Sequence, residues 1–244
     1  MRLGLLILSA VALSFPGPED TSPTAAALLH RFESAYRLSK TLQANFLETY
    51  FDSGKVVRSE AGVAYFARPG KMRWEYASPE PNLYLVDGKW SWFYVPADHT
   101  VTRTRAKQSS DSRTPLALLA GEMKVSRICK TVILDRSTSS LDAQGAVLRC
   151  DLRGSDDSVP ATPGARPSAH GSYALFEVNR RSGELVRIVV VDSGGVQVEF
   201  RFSNWQFDPL LQASKFRFEP SQGIVIVDGD FAASADARER KPGR

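Results

Sequence analysis

The sequence predicts a mainly β fold with one N-terminal helix and one short apolar helix in the middle of the chain. Apolar and polar residues alternate along about ten or eleven short segments, as they do in half-buried strands. Glycine, proline, asparagine, aspartate and serine separate these segments, which is typical of turns between neighbouring strands. Many short strands at regular spacing favour a barrel or a strongly curved sheet.

Composition indicates one large β-rich domain or two small ones. The chain has 244 residues, of which 43% are hydrophobic, enough for a core and too few for a bundle of membrane helices. The formal net charge is +4, but several basic residues lie at the two ends of the chain, so the folded part is closer to neutral. We therefore expect no nucleic-acid partner.

Two terminal segments are predicted to lie outside the folded domain. Residues 1–14 combine one positive charge, at Arg2, with an apolar run too short to span a bilayer, which indicates a secretory signal peptide. Residues 229–244 are mostly small and charged and are predicted to be disordered. The folded part, as one domain or two, is expected to lie between these segments.

Both cysteines, Cys129 and Cys150, lie in the part of the chain that would be exported. An even pair in an exported protein suggests one disulfide bond. The flanking segments, 124–134 and 146–152, have the pattern of strands and could pair as a hairpin. Two buried free thiols are the alternative.

The N-terminal helix is predicted over residues 24–39, with Thr24 as its cap and Pro23 before it. Its apolar residues recur at helical spacing and form one face. They are Leu28, Leu29, Phe32, Ala35 and Tyr36. We expect this face to pack on the sheet.

The most aromatic stretch follows two predicted strands at 42–51 and 55–66. Met72, Trp74 and Tyr76 share one face of a segment with period two. An apolar run with Leu83 and Leu85 leads to a turn at Asp87-Gly88, and Trp90 and Trp92 follow. An apolar wall of this size suggests a cavity for an apolar ligand.

A second helix is predicted over residues 114–121, where threonine, proline and a final glycine occupy the positions that start and stop helices. Its apolar residues are Leu116, Leu118 and Leu119. Because so short a helix is not stable alone, it must lie on an apolar surface.

The rest of the chain continues as strands around one long loop. Residues 155–171 are rich in serine, proline, glycine and aspartate and are predicted to be mobile. The strands predicted after this loop are 173–179, 184–192, 196–205, 214–218 and 223–227.

The residues needed for catalysis or metal binding do not occur together in the sequence. His30, His99 and His170 have no spacing that suits a metal site. Glu75 and Glu80 flank the aromatic stretch, but they are read as surface acids. We expect neither an enzyme nor a cofactor.

Eight segments, in this order, resemble those of the periplasmic outer-membrane lipoprotein carriers, the LolA family. They are LQANF (42–46), DSGKVV (52–57), ARPGKMRWEY (67–76), LVDGK (85–89), WFYVP (92–96), TPLALL (114–119), FEVNR (176–180) and SKFRFEPSQGI (214–224). The resemblance covers about residues 24–228, which implies a single domain over this range. It depends on the order and spacing of the segments.

The resemblance implies an unclosed β-barrel of about eleven antiparallel strands with a helical lid over an apolar interior. It implies a monomer in the periplasm that takes triacylated lipoproteins from an inner-membrane ABC transporter and passes them to an outer-membrane acceptor. A carrier or sensor of another lipid, such as a phospholipid or glycolipid, is the alternative, because acyl chains are alike to an apolar wall.

The resemblance also assigns roles to residues. Arg68, before the proline of the motif, is expected to hold the lid shut through carbonyls around Leu119 and Ala120. Acyl chains are expected to contact the wall and the lid, although strand parity allows only some wall residues to face inward and plain core packing is the alternative for each. The wall is Met72, Trp74, Tyr76, Leu83, Leu85, Trp90 and Trp92, and the lid is Leu116, Leu118 and Leu119. Met72 stands where the family often has phenylalanine.

Overall fold

Alternating strand patterns produce one continuous sheet in the computed structural model, which describes residues 23–106, 116–121, 124–153, 171–192 and 196–229. The sheet has twelve strands among these residues. They are β1 (Thr41–Asp52), β2 (Lys55–Ala67), β3 (Lys71–Ser78), β4 (Asn82–Val86), β5 (Trp90–Val95), β6 (Thr100–Arg105), β7 (Cys129–Asp135), β8 (Gly145–Leu152), β9 (Tyr173–Asn179), β10 (Leu185–Val191), β11 (Gln197–Phe207) and β12 (Val225–Asp228).

The sheet is open, with β12 at one edge and β7 at the other. Its order is β12-β6-β5-β4-β3-β2-β1-β11-β10-β9-β8-β7. Neighbouring strands pair antiparallel except at one edge, where β12 runs parallel to β6. The predicted fold class, mainly β and unclosed, is confirmed, with twelve strands where about eleven were expected.

Two α-helices in the described part of the chain cover one face of this sheet. Helix α1 (Ala25–Arg37) begins at Thr24, whose hydroxyl accepts a hydrogen bond from the Ala27 amide at 3.2 Å. Helix α2 (Ala117–Ala120) has only four residues. Neither is long and apolar enough to cross a membrane.

Two predicted strand segments are partly or wholly 3₁₀ turns. Val125–Arg127 forms such a turn before β7, where the Val125 amide donates to a carboxylate oxygen of Glu33 on α1 at 2.8 Å. Ala213–Phe216 forms another, where local backbone bonds take the place of a ladder. Tertiary contacts and local bonds have overridden the alternating pattern in both places.

Several expected features lie outside the described residues. These are the signal peptide at 1–14, the start of the second helix at 114–115, nearly all of the loop at 155–171 and the tail from residue 230 onward.

Candidate functional site

The sheet has an apolar interior face, which faces α1 and α2. It is defined here by Phe46, Phe66, Trp74, Tyr76, Phe200 and Phe202, which come from the central strands β1, β2, β3 and β11. None of these side chains is more than 7% exposed. Strand alternation places them on one side, so a large aromatic surface is shielded from water.

Trp74 lies at the centre of the interior face and is fully buried. Its ring centroid lies 4.8 Å from that of Phe46 and 5.5 Å from that of Phe200, in edge-to-face arrangements. Beside it in the register is Ala64, which pairs with Ala44 of β1, so small residues leave room for the indole. The indole nitrogen has no hydrogen-bond partner among the described residues.

The predicted wall is divided between the two faces of the sheet. Met72, Trp74 and Tyr76 belong to the interior face, as one side of β3. The remaining four form a separate cluster on the outer face, under the chain segment that contains Phe216 and Phe218. They are Leu83, Leu85, Trp90 and Trp92. One continuous wall is therefore not formed, because on β4 and β5 the opposite parity, with Tyr84 and Phe93, faces inward.

Helix α2 lies over β2 and β3 and completes the interior. Leu116, Leu118 and Leu119, the three residues of the predicted lid, are 0%, 7% and 0% exposed and belong to the interior cluster. Helix α1 contributes Phe32 and Tyr36, and the Tyr36 oxygen accepts a 2.7 Å hydrogen bond from the Leu185 amide. Burial raises the pKa of Tyr36 well above its usual value.

The turn at residues 68–70 contacts both helices. The Nη1 atom of Arg68 donates to the carbonyl oxygens of Arg37 and Ser39, each at 2.7 Å. Gly70, at φ +67°, directs its amide to the carbonyl of Ala120 at 2.8 Å. The guanidinium therefore meets the end of α1 and not Leu119 or Ala120 as expected, because the last carbonyls of a helix lack intrahelical partners.

The Arg68 guanidinium is only partly satisfied in this arrangement. Its Nε and Nη2 atoms are buried without a hydrogen-bond partner among the described residues. Burial lowers the pKa of Arg68, and Asp208 opposes this effect. Two hydrogen bonds therefore join the Arg68 side chain to the end of α1.

Glu48 is a polar residue of the interior that the sequence reading did not single out. It is fully buried, and its carboxylate accepts hydrogen bonds from the hydroxyls of Tyr50 and Tyr76, each at 2.5 Å. The available signal was parity, since Glu48 continues the apolar series Leu42, Ala44 and Phe46 along β1.

Cys129 and Cys150 are joined by a disulfide bond between the edge strand β7 and its neighbour β8. Both are buried on the interior side of these strands. In the described part of the chain, no group of three or more histidine, cysteine or acidic residues could hold a metal ion.

The structure belongs to the class of open β-sheet proteins in which helices cover an apolar interior face. The family model for the outer membrane lipoprotein carrier protein LolA matches residues 37–219, and the chain belongs to this family. A relative from Chromobacterium violaceum named "Outer-membrane lipoprotein carrier protein" is 31% identical over 227 residues, which cover 93% of this chain and 97% of the relative.

A second relative agrees with this assignment. A relative from Nitrosomonas europaea with the same name is 30% identical over 84% of this chain and 91% of its own length. A solved structure of a LolA superfamily protein from the same organism covers 81% of this chain and 99% of its own, with a TM-score of 0.41 and 13% identity.

Proposed function

We propose that this protein is a periplasmic carrier that binds the acyl chains of lipoproteins released from the inner membrane and delivers them to the outer membrane. The observation that carries the proposal is the buried aromatic interior face beneath two helices tied to one short turn. The relatives of this protein from Chromobacterium violaceum and Nitrosomonas europaea are named outer-membrane lipoprotein carrier proteins. Export by a signal peptide at 1–14, an inner-membrane ABC transporter and an outer-membrane acceptor are parts of the same proposal.

A comparison of transfer free energies favours opening of the lid by an acyl chain. Exposing Leu116, Leu118 and Leu119 of the lid costs about 1.5–3 kcal/mol each, or roughly 5–9 kcal/mol together. Withdrawing one chain of about 16 carbons from water gains roughly 12 kcal/mol, at about 0.8 kcal/mol per methylene. The free energy gained by burying a single acyl chain therefore exceeds the cost of opening α2.

Acyl chains are proposed to contact Met72, Trp74 and Tyr76 and the three lid leucines. Leu83, Leu85, Trp90 and Trp92 are left out, because they pack on the outer face. Arg68 is proposed to close the site by holding the end of α1, while Gly70 holds α2. A latch of this kind must open, and two charge-assisted bonds with two unpartnered guanidinium nitrogens beside them suit a reversible closure.

The test is native mass spectrometry of the protein purified from a periplasmic extract, combined with a lipoprotein transfer assay. We expect a co-purifying triacylated lipoprotein. We also expect Arg68→Leu to lower the transfer rate about tenfold, which corresponds to roughly 1.4 kcal/mol. Arg103→Leu is the control, because Arg103 pairs with Asp228 at the edge of the sheet, away from the lid.

Other outcomes would redirect or overturn the proposal. A bound phospholipid or glycolipid would keep the apolar site and change the cargo. A folded protein that is empty and ignores added lipoprotein would rule out the carrier function. Transfer by Arg68→Leu at the wild-type rate would remove Arg68 from the latch.

A further inference from the structure

A buried carboxylate interrupts the apolar interior at the end that lies away from α1. Helix α1 ends beside the first residues of β1, where Tyr36 contacts Phe207, the partner of Leu42 in the sheet register. Glu48 lies six residues further along β1, on the same face. It is fully buried, opposite Phe200 on β11.

Tyrosine hydroxyls hold the Glu48 carboxylate in place. Tyr76 donates to Oε2 and Tyr50 to Oε1, each at 2.5 Å. Tyr76 lies beside Gly62 in the register, and a Cβ atom at Gly62 would lie 1.9 Å from the Glu75 carbonyl oxygen. The absence of a side chain at Gly62 therefore lets β3 approach closely and keeps Tyr76 within reach of Glu48.

The polar groups continue from Glu48 to the surface. The guanidinium of Arg58 lies 4.0 Å from the centroid of the Tyr50 ring, and its Nε lies 3.2 Å from Oε2 of Glu60. Glu60 pairs with Glu48 across β1 and β2. The Arg58 side chain is 45% exposed, so this polar cluster spans the distance from the interior to solvent.

The distance from Leu42 to Glu48 matches a common acyl-chain length. Six strand residues span about 20 Å. An extended acyl chain advances about 1.25 Å per carbon, as follows from the standard C–C bond length and angle, so about 16 carbons fill this distance.

We propose that Glu48, held by Tyr50 and Tyr76, is the polar end-stop of the acyl site and limits bound chains to about 16 carbons. The inference rests on the proposed function. A longer chain must push its terminal methyl group against the carboxylate and separate it from its tyrosines. Leaving these buried polar groups unpartnered is unfavourable, so further methylenes add no affinity.

The experiment measures binding as a function of chain length. Soluble peptides that carry one N-terminal acyl chain of about 10 to about 20 carbons are titrated calorimetrically, below their micelle-forming concentrations. For wild type, affinity is expected to rise about fourfold per added methylene and to stop rising near about 16 carbons. From about 16 to about 18 carbons we expect less than a twofold gain, against roughly 16-fold for an unlimited site.

Two substitutions at Glu48 and one elsewhere separate the end-stop from general effects. Glu48→Leu is expected to recover most of the missing gain, and Glu48→Gln part of it, because the amide remains polar without a charge. Glu199→Gln is the control. Glu199 is a buried carboxylate on the outer face, paired with Arg201 at 2.6 Å, and should leave the wild-type limit unchanged. Should Glu48→Leu fail to fold, Glu48→Gln still decides.

The outcomes distinguish this inference from the proposed function. A continuous rise beyond about 18 carbons in wild type, or the same limit in all three variants, would overturn the end-stop and leave the carrier intact. Failure of the folded wild-type protein to bind any of the peptides would overturn both.

Discussion

Trp74 is the residue at which the structure makes its sharpest energetic prediction. Its indole is fully buried at the centre of the interior face, and its N–H group has no partner among the described residues. Two other tryptophans provide a direct comparison. The indole of Trp92 donates to Asp87 at 2.9 Å, and that of Trp205 donates to the Leu185 carbonyl at 2.8 Å.

The substitution Trp74→Phe removes volume and also removes an unsatisfied donor. The lost volume, a few tens of Å³, costs roughly 1 kcal/mol in the free energy of unfolding. Removing a buried, unpartnered N–H recovers about 1–3 kcal/mol. We therefore expect the free energy of unfolding of Trp74→Phe to be at most about 1 kcal/mol below that of wild type, or higher than that of wild type.

Trp92→Phe and Trp205→Phe lose the same volume and a hydrogen bond as well. They also leave an acceptor with one partner fewer, so each should cost about 1–3 kcal/mol more than Trp74→Phe. Urea unfolding followed by far-ultraviolet circular dichroism measures all three without relying on tryptophan fluorescence. If Trp74→Phe is as destabilising as the other two, the indole N–H is satisfied in solution and the reasoning is refuted.

Two further predictions concern the outer face and the edge of the sheet. Burial raises the pKa of Glu75, but Arg73 and Lys215 outweigh it and hold the pKa below its usual value. The Glu75 carboxylate therefore stabilises the fold at pH values above its pKa in the unfolded chain. This stabilisation is lost as the pH falls through its pKa in the folded protein. Glu75→Gln should therefore cost about 0.2–1 kcal/mol at neutral pH, and this difference should vanish in acid urea titrations; a difference that persists there would contradict the assignment. Replacing both cysteines by alanine opens a loop whose two ends are 21 positions apart in the sequence, and should cost about 3 kcal/mol. Two titratable thiols in denatured, unreduced protein would show that the bond is absent.

Period-two alternation predicted most of the sheet, because side-chain direction in a strand follows directly from residue parity. The α1 face with Leu28, Phe32 and Tyr36 followed in the same way from helical spacing. Parity also limits what can be predicted, since it groups residues into two faces and does not say which face is inside. That choice depends on what covers each face, and the cover comes from distant parts of the chain.

The outer cluster shows this limit. Leu85 and Trp92 are as apolar as Trp74, and parity within each strand could not say which of these residues face inward. They face outward because the segment after β11 returns over them, buries Phe216 and partly buries Phe218 there. The predicted partners of Arg68 were wrong for a related reason. The position of the α1 carbonyls relative to the turn depends on the tertiary fold and not on the local sequence.

The two covering helices are held in different ways, which decides how the interior can open. Helix α1 has thirteen residues and buries Leu28, Phe32 and Tyr36, so lifting it exposes a large apolar face. Helix α2 has four residues, too few for independent stability, and one backbone bond from Gly70 fixes its end. The cost of opening is therefore lower at α2. An acyl chain that enters under α2 first meets Met72 and Trp74 on β3, because α2 lies against that strand. In the proposed carrier, α2 would therefore open before the Arg68 latch at the end of α1.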